Sequence, residues 1–147
     1  MTLFIDADGC PVVDIAIKVA KEHNVPCVLI CDTSHQIERS VAKTITVSKG
    51  KDSADFMILN MIKSQDVVIT QDYGLAAMCL AKRALVLNQN GLIYTGENID
   101  SLLYFRYESN KLLNSGVRLR GPKKREKSQD LDFESALRKI LEKEKTS

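Results

Sequence analysis

Residues 2–13, TLFIDADGCPVV, decide the fold. Leu3, Phe4 and Ile5 form an uninterrupted apolar run too short for a helix, which predicts a buried strand ending at Asp6. Ala7, Asp8 and Gly9 follow at once, and Pro11 suits the first turn of a helix. Val12, Ile15, Ala16, Val19 and Ala20 then recur on one face, with Asp14, Lys18, Lys21 and Glu22 elsewhere. The stretch is a strand-to-helix unit with Asp6 and Asp8 at its junction.

Working outward, the same alternation continues. Residues 25–31 read as a second apolar strand followed by a polar loop, and 36–42 as either a short helix or a loop. Residues 44–47 alternate in the β manner, and 54–63 form a helix that Asp52 or Ser53 can cap. Residues 66–70, DVVIT, are the clearest central strand; they end at Gln71 and Asp72, ahead of a helix over 74–82. A fifth strand covers 84–87, a turn 88–91 and a small edge strand 92–94. Asn98 caps a helix from 99 to about 113, in which Tyr104, Phe105 and Tyr107 can stack bases, although Tyr104 and Phe105 are rather expected to pack on the sheet. Residues 117–129 lack an apolar period and read as an exposed basic connector. Leu131, Phe133, Leu137, Ile140 and Leu141 then mark an amphipathic helix over 131–144.

Strands alternating with helices at this spacing predict a mostly parallel sheet of about five strands with helices on both faces. Length and composition fit one domain: 147 residues, 44% hydrophobic and 27% charged, bury roughly two-thirds of the unfolded surface. Residues 1–116 are expected to form the α/β core, and 117–147 a connector and helix packed on it. No apolar run reaches the roughly 18 to 20 residues of a membrane span, and a cytoplasmic protein is expected. Cys10, Cys27, Cys31 and Cys79 include no Cys-x-x-Cys pair, which argues against a disulfide framework or a zinc site. Charge is unevenly placed. Residues 1–110 carry 10 basic and 13 acidic side chains, whereas 111–127 carry 7 and 1.

In parallel α/β sheets, ligands bind beyond the carboxyl ends of the strands, where strand order reverses. Asp6 and Asp8 follow the first strand and Asp72 follows the fourth, so their carboxylates converge if those strands are neighbours. Asp52 and Asp55, three apart at a helix start, share a face near its positive end, and either can complete the cluster. Each aspartate taken singly is explained by cap or turn duty. Taken together at matching element ends, Asp6, Asp8, Asp55 and Asp72 point to a cation. Crowded carboxylates raise one another's pKa unless a positive charge joins them. Mg²⁺ or Mn²⁺ takes oxygen ligands and can activate water against a phosphodiester. The chemistry expected is that of a metal-dependent nuclease.

The segments FIDADGCPV, GKDSADFMI, VVITQDYGLAAMCLAKRALVLNQNGLIYTGENI and SGVRLRGP, in this order and spacing, closely resemble the bacterial YaiI/YqxD family, uncharacterised proteins placed in the PIN-like nuclease superfamily. The resemblance covers residues 2 to about 137. It implies a PIN-like three-layer fold and a metal pocket built from Asp6, Asp55 and Asp72, with Asp8 and Asp52 adjacent. Relatives tend to carry an apolar or aromatic stretch after the glycine-proline, whereas Gly121-Pro122 here runs into Lys123, Lys124 and Arg125.

Beside the pocket, Thr70 and Asn88 are further candidates from strand ends, each also explained by local hydrogen bonding. Arg118, Arg120, Lys123, Lys124 and Arg125 can contact phosphates of a nucleic acid, RNA by expectation, or simply be solvated. Cys10 stands at a helix start that lowers a thiol pKa, but lacks a partner histidine. A homodimer is left open. Two rival functions remain. Asp-x-Asp-Gly after an apolar strand also resembles the nucleophile loop of haloacid-dehalogenase phosphatases, with Asp6 attacking phosphorus and Asp8 as acid, although Cys10 stands where that pattern has threonine or serine. The other is a non-catalytic module that binds nucleic acid or a nucleotide.

Overall fold

The computed structural model describes residues 1–32, 42–47, 53–116 and 124–146. Along them run β1 (Leu3–Asp6), α1 (Val13–Glu22), β2 (Cys27–Asp32), β3 (Lys43–Val47), α2 (Ser53–Met61), β4 (Val67–Ile69), α3 (Tyr73–Ala81), β5 (Leu85–Leu87), α4 (Gly96–Asn114) and α5 (Lys127–Thr146). The strands form a five-stranded sheet in the order β3-β2-β1-β4-β5, with every neighbouring pair parallel. Asp52, Arg118, Arg120 and Lys123 lie outside the described residues, as do most of 36–42 and of the connector.

The pleat sorts the apolar residues between two cores. Leu3 and Ile5 of β1 point to one face, where Leu29, Val67 and Ile69 join Val12, Ala16, Val19 and Ala20 around α1 and Phe133, Leu137 and Leu141 from α5. Phe4 points to the other face, with Val28, Ile30, Val68 and Val86, and is covered by Ile58 of α2, Leu75, Ala76 and Cys79 of α3 and Ile99 of α4. Burial on both faces explains why β1, β2, β4 and β5 are continuous apolar runs, whereas the more exposed edge strand β3 alternates. The result is an α/β fold with helices on both faces of a parallel sheet, consistent with a PIN-like three-layer arrangement.

Local chemistry fixes the ends. The Asp66 carboxylate accepts from the backbone N–H of Thr2 at 2.9 Å and of Lys63 at 2.8 Å, tying the start of β1 to the turn before β4. The Arg125 guanidinium donates to Asp130 Oδ1, Asn90 Oδ1 and the Gln89 carbonyl, each at 2.7 Å, and so clamps the start of α5 to the turn after β5. Gly91 in that turn has φ +85°, and a Cβ there would stand 2.7 Å from the Asp132 carbonyl oxygen.

Several sequence expectations are corrected. The first helix begins at Val13, with Pro11 in the preceding turn, and its buried face also takes in Ile17, while Ile15 packs only partly buried against the same core. The long helix begins at Gly96 and is capped by Thr95, whose hydroxyl accepts from the Asn98 N–H while the Asn98 side chain accepts from the Thr95 N–H. Residues 92–94 contribute only one antiparallel bridge, Leu87 to Ile93. Tyr104 and Phe105 are 67% and 68% exposed, because Ile99, Leu102 and Leu103 already occupy the sheet-facing stripe. Leu131 is exposed too, leaving Phe133, Leu137, Ile140 and Leu141 as the buried stripe of α5.

Candidate functional site

Strand order reverses between β1 and β4, whose chains leave the sheet in opposite directions, and a crevice opens there beyond their carboxyl ends. Ile5 pairs in register with Ile69, so the next residues of the two strands, Asp6 and Thr70, meet at the sheet's lip. The Thr70 hydroxyl donates to Asp6 Oδ2 at 2.9 Å and accepts from the Asp72 N–H at 3.0 Å. One buried hydroxyl therefore orients one carboxylate and anchors the loop that bears a second. Tyr94, itself buried, donates through its hydroxyl to the Thr70 carbonyl at 3.3 Å.

The loops after the two strands are tied together by Gln71, whose side-chain amide donates to the Gly9 carbonyl at 3.0 Å. Gly9 has φ +69°, a left-handed conformation that lets the chain turn sharply after Asp8. Asp8 accepts from the Asp32 N–H at 3.1 Å, bracing the first loop against the end of β2. Asp72 caps α3, its Oδ1 accepting from the Leu75 N–H at 3.1 Å.

Asp6, Asp8 and Asp72 line one open cavity of about 520 Å³, together with Gly9, Gln71, Tyr73 and Arg106. Burial raises the Asp6 carboxyl from 3.8 to about 6; the Thr70 hydrogen bond pulls it down, and the charges of Asp8 and Asp72 push it further up. Its charge is thus less favourable than that of a solvated carboxylate, in a place where three acids meet. Arg106 comes from α4 and its Nη1 lies 3.9 Å from Asp72 Oδ1, too far for a hydrogen bond.

Asp55 does not line this cavity. It stands at the start of α2 in an adjoining cavity of about 400 Å³, which shares Asp72 and Arg106 with the first. Among the described residues, no group of three His, Cys, Asp or Glu side chains is close enough to hold an ion by itself. Asn88 lines neither cavity, and its Oδ1 accepts from the N–H groups of Asn90 and Leu92 within the turn. Lys124 is exposed, and Arg125 is spent on its three bonds at α5. The Cys10 thiol is pushed up, chiefly by burial, contrary to the lowering expected at a helix start.

Arg106 was missed from sequence. A lone arginine in a helix looks like solvated surface, yet Ile99, Leu102, Leu103 and Arg106 follow the 3-4 spacing of the inward stripe. A cation at the next inward position of an apolar stripe was the available signal. Gln71 and Tyr73 carry no such mark, since only the pairing of β1 with β4 brings them to the cavity.

Fold and site define a parallel α/β protein with an acidic cleft at its switch point. The chain belongs to the YaiI/YqxD family, matching over residues 4–143 the group described as "Uncharacterized BCR, YaiI/YqxD family". It is 46% identical over 141 residues to a UPF0178 protein of Exiguobacterium sibiricum, covering 96% of each chain. It is 48% identical over 137 residues to one from Ruminiclostridium cellulolyticum, covering 93% of this chain and 90% of the relative. A third, from Natranaerobius thermophilus, is 42% identical over the full length of both. No solved structure matches the chain significantly. Among the described residues, no helix is long and apolar enough to cross a membrane.

Proposed function

We propose that the protein is a divalent-metal-dependent nuclease that hydrolyses phosphodiester bonds in single-stranded nucleic acid, RNA by preference. The observation that carries this is the meeting of Asp6, Asp8 and Asp72 in one open cavity at the strand ends, with the Asp6 carboxyl raised to about 6. Carboxylates so placed gain from a cation. The donor set is all oxygen, which suits Mg²⁺ or Mn²⁺ and not a thiophilic ion. Among the described residues no three-carboxylate cage stands ready, and an ion that keeps several of its waters needs only one or two protein ligands. Asp6 with Asp8 or Asp72 would hold it. When bound, the ion supplies an activated water and neutralises charge on the leaving oxygen.

The chain's own groups have separable tasks. Thr70 holds the Asp6 carboxylate in one orientation through its 2.9 Å bond. Asp72 carries out cap and ligand duties at once, its Oδ1 engaged by the Leu75 N–H. Arg106, 54% exposed and not locked to Asp72, can turn its guanidinium to the non-bridging oxygens of a phosphodiester. Asp55 lies one cavity away and would act on the neighbouring part of the substrate.

The test is incubation of purified protein with labelled single-stranded RNA and DNA. Cleavage is expected with Mg²⁺ or Mn²⁺, none in chelator, and none from Asp6→Asn or Asp72→Asn chains that remain folded. Cleavage that survives both substitutions overturns the proposal. An acyl-phosphate on Asp6 would instead establish the phosphatase chemistry.

A further inference from the structure

The cavity beside the acidic one has a different character. One wall is α2, with Asp55 at its start and Phe56 and Leu59 a helical turn apart; the other is α3, with Leu75 and Met78, so the lobe is apolar apart from its acidic end. The inward residues of α2 and the turn after it are Ile58 and Ile62, both buried, so Phe56 is not needed to fill the core. Its ring is 65% exposed and Met78 is 46% exposed, both along the same concave opening. Arg106 and Asp72 form the threshold to the acidic cavity, for they line both.

We propose that this apolar lobe is a subsite for a nucleobase, stacked on Phe56, of a strand whose phosphodiester lies in the acidic lobe. The identity of the occupant rests on the nuclease reading; the shape and charge of the lobe are independent of it. A single strand alternates flat apolar bases with anionic phosphates. The cleft presents the matching succession: an exposed ring, then a guanidinium, then the acids of a cation site. Arg106 has no short bond to its nearest carboxylate, so its charge is available to a phosphate placed between the lobes. Met78 opposite the ring offers a polarizable, adaptable wall that tolerates bases of different outline. Base-on-aromatic stacking is sequence-tolerant, so little preference among the bases is expected. An aliphatic peptide segment would fill the lobe but bring no anion of its own to Arg106.

The chain contains no tryptophan, so Phe56→Trp introduces a single, selectively excitable tryptophan at the proposed stacking surface. This substitution is made in the Asp6→Asn chain, which is expected to bind without cutting, and titrated with a single-stranded RNA hexamer. Saturable quenching is expected. Fluorescence anisotropy of a labelled hexamer should show roughly 10- to 100-fold weaker binding for Phe56→Ala, with affinity retained by Phe56→Trp. Phe56→Ala removes an exposed ring and should leave the melting temperature nearly unchanged, which separates lost stacking from lost folding. Hexamer binding with no quenching and no loss in Phe56→Ala overturns the subsite and leaves the nuclease reading intact. No hexamer binding by any chain also overturns it. Quenching and ring-dependent binding without cleavage by the unsubstituted protein would uphold the subsite and overturn the nuclease reading.

Discussion

Asp6 is held in an environment that opposes its own charge. Its carboxyl titrates near 6 when folded and near 3.8 when unfolded, so the folded state binds the proton more tightly. The resulting stabilisation is fully present below the unfolded value and is lost as pH rises through about 6. In chelator, Asp6→Asn should therefore gain stability relative to the unsubstituted chain between pH 4 and pH 8, by on the order of 2 kcal/mol, read from urea unfolding at both pH values. An unchanged difference would mean that the Asp6 carboxyl is better solvated in solution than its burial beside Thr70 implies. Asp72 has two roles that chemistry can divide. Asn caps helices as well as Asp does, whereas Ala does not, so Asp72→Ala should cost about 1 kcal/mol and Asp72→Asn much less, while both abolish cleavage. Cys27 and Cys79 are pushed up to about 12 by burial, and neither should be alkylated at pH 8 until the protein is unfolded.

Four of the strands were readable because each is a short apolar run bounded by polar residues, as burial on both faces of a parallel sheet demands, and the edge strand β3 because it alternates. Asp6, Asp8 and Asp72 were readable as candidates for the same reason, as acids directly after such runs. What escaped depends on where a helix lies against its neighbours. In α4, Tyr104 and Phe105 follow Leu102 and Leu103 and look like more of the same stripe, but the sheet-facing positions are already filled. Tyr104→Ala or Phe105→Ala should accordingly change the unfolding free energy by no more than about 0.5 kcal/mol, against several for a buried aromatic. The turn after β5 behaves in the opposite way. Gly91→Ala would force a Cβ toward the Asp132 carbonyl while holding a left-handed φ, and should cost about 1 to 3 kcal/mol. Faster amide hydrogen exchange in α5 than in α3 would show that the loss is the docking of that helix.

Topology turns scattered acids into a single cleft. The order β3-β2-β1-β4-β5 places β1 between β2 and β4, so acids some 60 positions apart in sequence come together with no long loop to position them. The periodic pattern of strands and helices predicts such a sheet but cannot order its strands, and for that reason the convergence of Asp6 with Asp72 was conditional until β1 and β4 were seen as neighbours. A cation bound only by the folded cleft must stabilise the whole domain. Mg²⁺ or Mn²⁺ at one hundred times its dissociation constant should add about 2.7 kcal/mol to unfolding, and Asp6→Asn should abolish that increment. A metal-independent melting curve would remove the cation from the proposal.

The seating of Phe133, Leu137 and Leu141 against α1 and the early strand β1 bears on synthesis. A ribosome makes β1, α1 and the whole sheet before it makes the helix that closes one of their two apolar sides. Until residues beyond 127 emerge, the nascent chain carries an oily surface that a chaperone can grip and that a neighbouring nascent chain can stick to. Completion of the fold is thus expected to wait for α5. A stop codon ahead of α5 should yield aggregate in place of a smaller working domain.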